Sequence, residues 1–177
     1  VQAARTPKQA DWAKLVAEGN MFTLFGAENL LGPRFSREGR PLLGALMAQL
    51  ITEARPVNVA VKERFHRPRP FVADPRVHPC VERPDSDSYP SGHAFVAFLW
   101  AAVLAELHPD LRMAIYERAD RIVWGRVTGG VHYPSDLAAG RRLAHAVIAQ
   151  EMKNAAFRAA LEKCRAEAAG ATLKKAA

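Results

Sequence analysis

Three short stretches of the sequence gather side chains that could grip an anion and pass a proton or a group to it. In Ser88-Tyr89-Pro90-Ser91-Gly92-His93 a polar loop gives way to an apolar run over residues 94–104. That change predicts a loop feeding a helix N-terminus, where unpaired N–H groups and the positive dipole end attract anions. Gly92, lacking a Cβ, lets backbone approach a ligand, while Ser91 adds a hydroxyl and His93 an imidazole. The plainer alternative is a serine N-cap beside a surface histidine. In residues 62–70, Lys62, His66 and Arg69 fall four and seven apart, which on a helix is one face. Lys62 then offers a point charge and Arg69 a two-pronged guanidinium to a single anion. A solvated basic helix end explains the same residues without a ligand. In the third stretch Arg126 is followed by His132 and Asp136, and Pro134 presets a helix start with Asp136 in its first turn. A carboxylate on one imidazole nitrogen fixes the tautomer and frees the other as nucleophile or base. A surface His/Asp pair, or two ligands of a metal site that lacks a third, are the other readings.

The elements that must position these residues follow from periodicity. Trp12, Leu15 and Val16 predict a helix from Asp11 to Gly19-Asn20, after a loose lead-in over residues 1–9. A second apolar segment covers residues 21–31 and closes at Gly32-Pro33. Ser36 reads as the cap of a third helix with its body over residues 41–54. Pro56 should break or kink it, and a further helix runs from Val57 to about His66. Residues 71–88, rich in Pro, Asp and Ser, read as a long ordered loop, which in a compact domain usually serves or covers a site. A buried helix follows Gly92 to Leu107, Pro109 opens the next, and Gly129-Gly130 ends it. From Leu137 through Ala168 the pattern is helical, and Ala138, Ala139, Gly140 and Ala144 would admit a close neighbour. Residues 170–177 read as a fraying tail. With no strand alternation and no repeat, the expected fold class is all-α, a helical bundle with flanking helices. The expectation is one domain over residues 1–177.

Bulk composition narrows the function less. A net charge of +7 and a pI near 9.8 favour anionic partners without choosing among phosphate esters, nucleic acid and an acidic membrane surface. The longest apolar run, residues 94–105, is shorter than the ~20 residues a membrane span needs. The chain starts at Val1 with no signal-type apolar region, which reads as a mature or trimmed form. Cys80 and Cys164 match no metal or redox spacing, and a disulfide between them or two free thiols both stay open.

In combination the stretches become specific. Lys62 with Arg69-Pro70 after six residues, Pro90-Ser91-Gly92-His93, and Arg126 with His132 and Asp136 together resemble the three-part signature of the type 2 phosphatidic-acid phosphatase superfamily. The wording from Ser88 to His93 is most similar to its soluble branch, the bacterial class A non-specific acid phosphatases. The resemblance covers residues 40–150 or so and departs at Gly125, where the family commonly has Ser before the arginine, so a hydroxyl near the phosphate is lost.

The resemblance implies a vanadium-haloperoxidase/acid-phosphatase-like fold, metal-independent hydrolysis of phosphomonoesters with broad specificity, no cofactor, and a periplasmic or secreted location. It further implies that His132 attacks phosphorus to form a phosphohistidine, Asp136 orients it, and His93 gives a proton to the leaving alkoxide. Lys62, Arg69, Ser91, Gly92 and Arg126 would hold the phosphate, with inorganic phosphate or vanadate as inhibitors. His66, His78, His108 and His145 read as structural or surface residues, with His66 nearest the pocket, and Tyr89 and Phe71 either wall the leaving-group side or simply pack. Three rivals stand beside this reading: a vanadate-dependent haloperoxidase, a membrane lipid phosphatase that would need spans this chain lacks, and a basic nucleic-acid-binding helical module. No nucleic-acid partner is expected, and Ala-rich helix faces permit a homodimer.

Overall fold

The architecture comes from a computed structural model that describes residues 5–170. Among them there are eight α-helices, two short 3-10 turns and no strand. The helices are α1 (Pro7–Glu18), α2 (Met21–Gly26), α3 (Pro41–Phe65), α4 (Pro70–Ala73), α5 (Gly92–Leu107), α6 (Arg112–Thr128), α7 (Pro134–Glu151) and α8 (Ala155–Ala168). The fold is therefore all-α. Residues 1–4 of the expected lead-in and 171–177 of the expected tail lie outside the described residues.

Helix α5 is the hub because its sequence is apolar on every side. A helix without a polar face must be enclosed. Phe95, Phe98, Leu99, Val103 and Leu104 are buried, and α6, α7, α3 and α8 all pack around them. Helix α7 comes close to α5 at Gly140. A Cβ there would stand 2.6 Å from the Ser91 carbonyl oxygen and 2.9 Å from the Ala94 Cβ, so only a glycine lets the two backbones meet. That contact brings the first turn of α7 against the N-terminus of α5, where the Ser91 N–H donates to the Asp136 carbonyl at 3.0 Å.

Several boundaries differ from the periodicity reading, each for a local reason. Helix α1 begins at Pro7 rather than Asp11, because Thr6 and Gln9 form a reciprocal capping box and proline is favoured at the first helical position. Ser36 does not cap α3; its hydroxyl accepts the Gly39 N–H in a preceding turn, and Arg40 is the N-cap. Pro56 does not end α3, which runs unbroken to Phe65. Proline costs that helix a hydrogen bond, but Leu43, Leu46, Met47, Leu50, Ala54 and Asn58 keep one face buried across the site of the defect. The second apolar segment is helical only to Gly26 and finishes as a 3-10 turn over Ala27–Asn29. The stretch from Leu137 to Ala168 is two helices, and the Asn154 side chain accepts the Ala156 N–H at 2.9 Å to cap the second. Cys80 and Cys164 are both free thiols. No helix of the described residues is long and apolar enough to cross a membrane.

Gly140→Ala should lower the unfolding free energy by about 1–3 kcal/mol, the usual cost of overpacking a tight contact. Gly44→Ala is the matched comparison, since a Cβ at Gly44 meets only the Phe22 ring at 3.8 Å and the helix gains propensity. Urea melts of the two variants read the difference, and equal midpoints would mean that α7 has room to move off α5.

Candidate active site

Asp136 is fully buried at the third position of α7, and donors from separate segments converge on it. Its Oδ2 accepts from the Ser88 hydroxyl at 2.5 Å and from the Tyr133 N–H at 2.8 Å, and lies 3.2 Å from His132 Nδ1. Its Oδ1 accepts from Arg67 Nη1 at 2.8 Å. Burial alone would raise the carboxyl, but the hydrogen bonds from His132, Ser88 and the Tyr133 N–H outweigh it and hold the group below the ordinary aspartate value.

His132 is nearly as buried, and its two nitrogens have distinct neighbours. Nε2 sits 3.0 Å from Arg69 Nη1. A guanidinium can only donate, so Nε2 must present its lone pair, and the ring proton belongs on Nδ1, facing Asp136. The free electron pair of His132 thus lies beside a cation. Burial, reinforced by Arg69 and Arg126 and opposed by Asp136, lowers the imidazole to about 4. His132 is therefore neutral in mildly acidic solution.

Arg69 reaches this point from the N-cap of α4. Its Nε donates to the Ser86 carbonyl at 2.7 Å, Nη2 to the Ser86 hydroxyl at 3.2 Å, and Nη1 also to the Val131 carbonyl at 2.8 Å. Lys62 Nζ donates to the Asp87 carbonyl at 2.6 Å; burial and the Arg69 charge pull the ammonium down to about 8. Arg126, 3% exposed at the end of α6, keeps Nε and Nη1 buried without any acceptor. Burial first and Arg69 second lower it to about 10, so it stays charged at neutral pH. Two orphaned donors on a buried cation are costly unless an anion completes them.

His93, in the first turn of α5, lies within the field of the same groups. Burial first, then Arg126 and His132, lower it to about 3 against a hydrogen bond to the Ala17 backbone. The Ser91 hydroxyl is buried and accepts the Ala94 N–H at 3.2 Å, so it is an N-cap as well as a site residue, and its proton remains free to donate. By helix geometry the N–H groups of Gly92 and His93 have no intrahelical acceptor. Among the described residues no group of three or more His, Cys, Asp or Glu is arranged to hold a metal ion. Lys62, Arg69 and Arg126 form instead a cationic cradle suited to an oxyanion.

The structure thus gathers Lys62, Arg69, Ser91, Gly92, His93, Arg126, His132 and Asp136, though Lys62, His66 and Arg69 do not form one helical face. Helix α3 stops at Phe65, and His66 takes a left-handed conformation with φ 45°, so Lys62 and Arg69 approach from different elements. The His66 side chain is 73% exposed, pairs with Asp87 at 3.3 Å and is not among the residues that line the pocket. Tyr89 packs on Phe65 with ring centroids 4.8 Å apart, and Phe71 lies under the Arg83 guanidinium, so both are packing residues. Gly125 faces α1: a Cβ there would meet Val16 Cγ2 at 3.1 Å and Trp12 Cδ1 at 3.5 Å. A side chain at that position points into a helix contact rather than toward the oxyanion cradle.

Three contributors had no assigned role in the sequence reading. Ser88 and Arg67 orient Asp136, and the Arg67 guanidinium also donates to Ser135 Oγ at 2.7 Å and covers the Tyr133 ring at 4.1 Å. Asn58, one turn before Lys62, is 5% exposed with an unpartnered Nδ2. A polar residue on the buried face of α3 was the signal for it.

Comparison with known proteins agrees with this geometry. Residues 39–158 match the family model described as the PAP2 superfamily, and the chain belongs to that family. It is 29% identical over 141 residues to a non-specific acid phosphatase of Providencia stuartii, covering 77% of this chain and 57% of that protein. It is 36% identical over 111 residues to an acid phosphatase of Zymomonas mobilis, covering 60% and 42%, and 28% identical over 168 residues to a non-specific acid phosphatase of Salmonella typhimurium, covering 90% and 65%. The chain spans about two fifths to two thirds of the length of these relatives. A solved transmembrane PAP2-type phosphatidylglycerolphosphate phosphatase from Bacillus subtilis superimposes with a TM-score of 0.57 at 24% identity, covering 89% of this chain and 83% of that one, which shows a shared fold.

Arg126→Met should abolish the thermal stabilisation that inorganic phosphate gives the native protein. The unliganded variant should melt at the same temperature or higher, because an uncompensated buried charge has been replaced by an apolar chain. Retained stabilisation by phosphate in the variant would mean that the orphaned donors face something other than the anion.

Proposed function

We propose that this protein is a metal-independent phosphomonoesterase of the acid phosphatase type that works through a phosphohistidine. The observation that carries the reading is His132 held between Asp136 on Nδ1 and the Arg69 cation beside Nε2. The named relatives support the reaction class. Residues 1–177 would form one domain of this activity, and the likeness to bacterial acid phosphatases supports a periplasmic or secreted location.

In this mechanism the equatorial oxygens of the phosphoryl group rest on Arg126, Lys62 and Arg69, with the Ser91 hydroxyl and the first N–H groups of α5 completing the cradle. His132 Nε2 attacks phosphorus in line, forming an N–P bond as the ester P–O bond breaks. Asp136 stabilises the charge that develops on the ring. His93 hands a proton to the departing alkoxide, then removes one from the water that cleaves the N–P bond and releases phosphate. In the empty site arginine charges help keep His93 unprotonated. The negative charge of a bound phosphate opposes them, so substrate draws onto His93 the proton it needs.

Release of p-nitrophenol from p-nitrophenyl phosphate in EDTA should survive chelation. His132→Ala should lose at least about a thousandfold in rate, whereas Asp136→Asn should lose roughly a hundredfold. Full activity in the first variant rules out the proposed nucleophile, and metal dependence rules out the cationic mechanism. The pH profile of kcat/KM follows from the free protein. His132 must lose its proton near pH 4 and Lys62 must keep its charge, which it loses near pH 8, while the His93 proton, held in the empty site only to about pH 3, must arrive with the substrate; activity then rises near pH 4 and falls near pH 8. Lys62→Arg should carry the alkaline limb upward, because guanidinium keeps its proton; an unmoved limb would assign it to another group.

A further inference from the structure

Beside the cationic cradle lies a cavity of about 410 Å³, and Asn58, Lys62, Ser86 and His93 line the side it shares with the cradle, its neck. Away from the cradle it is mainly apolar, walled by Leu24, Ile51, Val96, Trp100 and Ile122 from α2, α3, α5 and α6, with Arg55 the charged exception. The volume falls within the ~300–1,000 Å³ of small-molecule sites. Two features tie this space to the reaction. His93, the proton donor to the leaving oxygen in the mechanism above, lines the cavity, so an alcohol departing on the His93 side departs into it. At the neck Asn58 is 95% buried, counted from its 5% exposure, and its Nδ2 has no partner. The carbamoyl oxygen lies against Gly92, 3.6 Å from where a Cβ would stand, so the amide spans α3 and the first turn of α5.

We propose that this cavity is the leaving-group subsite, that it selects phosphomonoesters of apolar aryl or alkyl alcohols over those of sugars and polyols, and that Asn58 Nδ2 donates to the substrate at its neck. The proposal rests on the phosphatase reading. Apolar walls favour a hydrocarbon in proportion to the area it removes from water, whereas a polyol seated among Leu24, Ile51, Val96, Trp100 and Ile122 gives up hydrogen bonds to water, the polar groups Asn58, Lys62, Ser86 and His93 lying on the cradle side and Arg55 elsewhere on the wall. Asn58 serves the phosphate end, where an unpaired buried donor and an anionic oxygen satisfy each other.

The test compares kcat/KM for hexyl phosphate and glycerol 3-phosphate, and, independently of turnover, calorimetric Kd values for hexylphosphonate and methylphosphonate. Each buried methylene is worth about three- to fourfold, so hexyl compounds should be favoured at least about tenfold in both arms. Ile51→Asn should draw both ratios toward one. Val59→Asp at the exposed rim should do the same should the first variant fold poorly. Asn58→Leu should weaken both phosphonates severalfold, and unchanged affinities would remove its role. Equal kcat/KM for the two esters overturns the subsite while leaving the phosphatase reading in place. Absence of any turnover overturns that reading instead. The phosphonate arm then decides the cavity, because tenfold tighter hexyl binding supports it and equal binding overturns it.

Discussion

A buried carboxylate is unstable unless donors surround it, and Asp136 meets that demand by drawing together parts of the chain far apart in sequence. Ser88 comes from the long loop, Arg67 from the connector between α3 and α4, and the Tyr133 N–H and His132 from the start of α7. Its own carbonyl accepts the Ser91 N–H at the start of α5. Removing any one partner would leave a charge or a lone pair unsatisfied away from water, which is where large penalties arise. The position of His132 Nε2 is a consequence of this arrangement. Helix packing at Gly140 places the two helix starts within reach, and the carboxylate then fixes which loop side chains must face inward.

Charge balance around that centre is deliberately incomplete. Lys62, Arg69 and Arg126 carry three positive charges, while Asp136 is the buried carboxylate beside them. Burial lowers all three cations, and the Arg69 charge adds to it at Lys62 and Arg126, yet fixed backbone carbonyls at Val131, Ser86 and Asp87 hold Arg69 and Lys62 in place. Arg126 has no such support on Nε and Nη1. The large apolar core that α5 and its neighbours bury offsets that cost, and under the proposed function an arriving oxyanion would supply the missing acceptor. Preorganised positive charge of this kind needs no rearrangement when charge develops on a transferring phosphoryl group.

How much of this could be read from the sequence depended on whether chemistry or packing dictated the residue. His93, His132, Asp136, Arg69, Arg126 and Lys62 were legible because their types and spacings make sense only together. Ser91 and Gly92 were legible because a helix start has its own composition. Arg67 was not, since nothing local separates an arginine that reaches a carboxylate 69 residues away from ordinary surface polarity, and Asn58 was passed over although it falls on the apolar face of α3. The continuity of α3 through Pro56 and the break before Asn154 were also missed. In the first case tertiary burial overrode a local breaker. In the second a single capping asparagine ended a pattern whose apolar periodicity looked unbroken.

The N-terminal helices show how the shared chemistry is given a local setting. Helices α1 and α2 precede the region that matches the family, which begins at residue 39, yet they touch the site directly. The Ala17 backbone takes a hydrogen bond from His93, and Val16 and Leu24 stand among the cavity walls. Gly125 is what admits them, because a Cβ at that position would press on Val16. The bare glycine before Arg126 and the presence of α1 over His93 are therefore structurally linked. The glycine lowers the surface of α6 by a side chain, α1 settles into the space, and the helix that fills it contributes an acceptor for His93 and an apolar wall. Under the proposed function, oxyanion binding would thus be built from residues within the family-matched region, whereas the surroundings of the leaving group would depend in part on a helix pair that lies outside it.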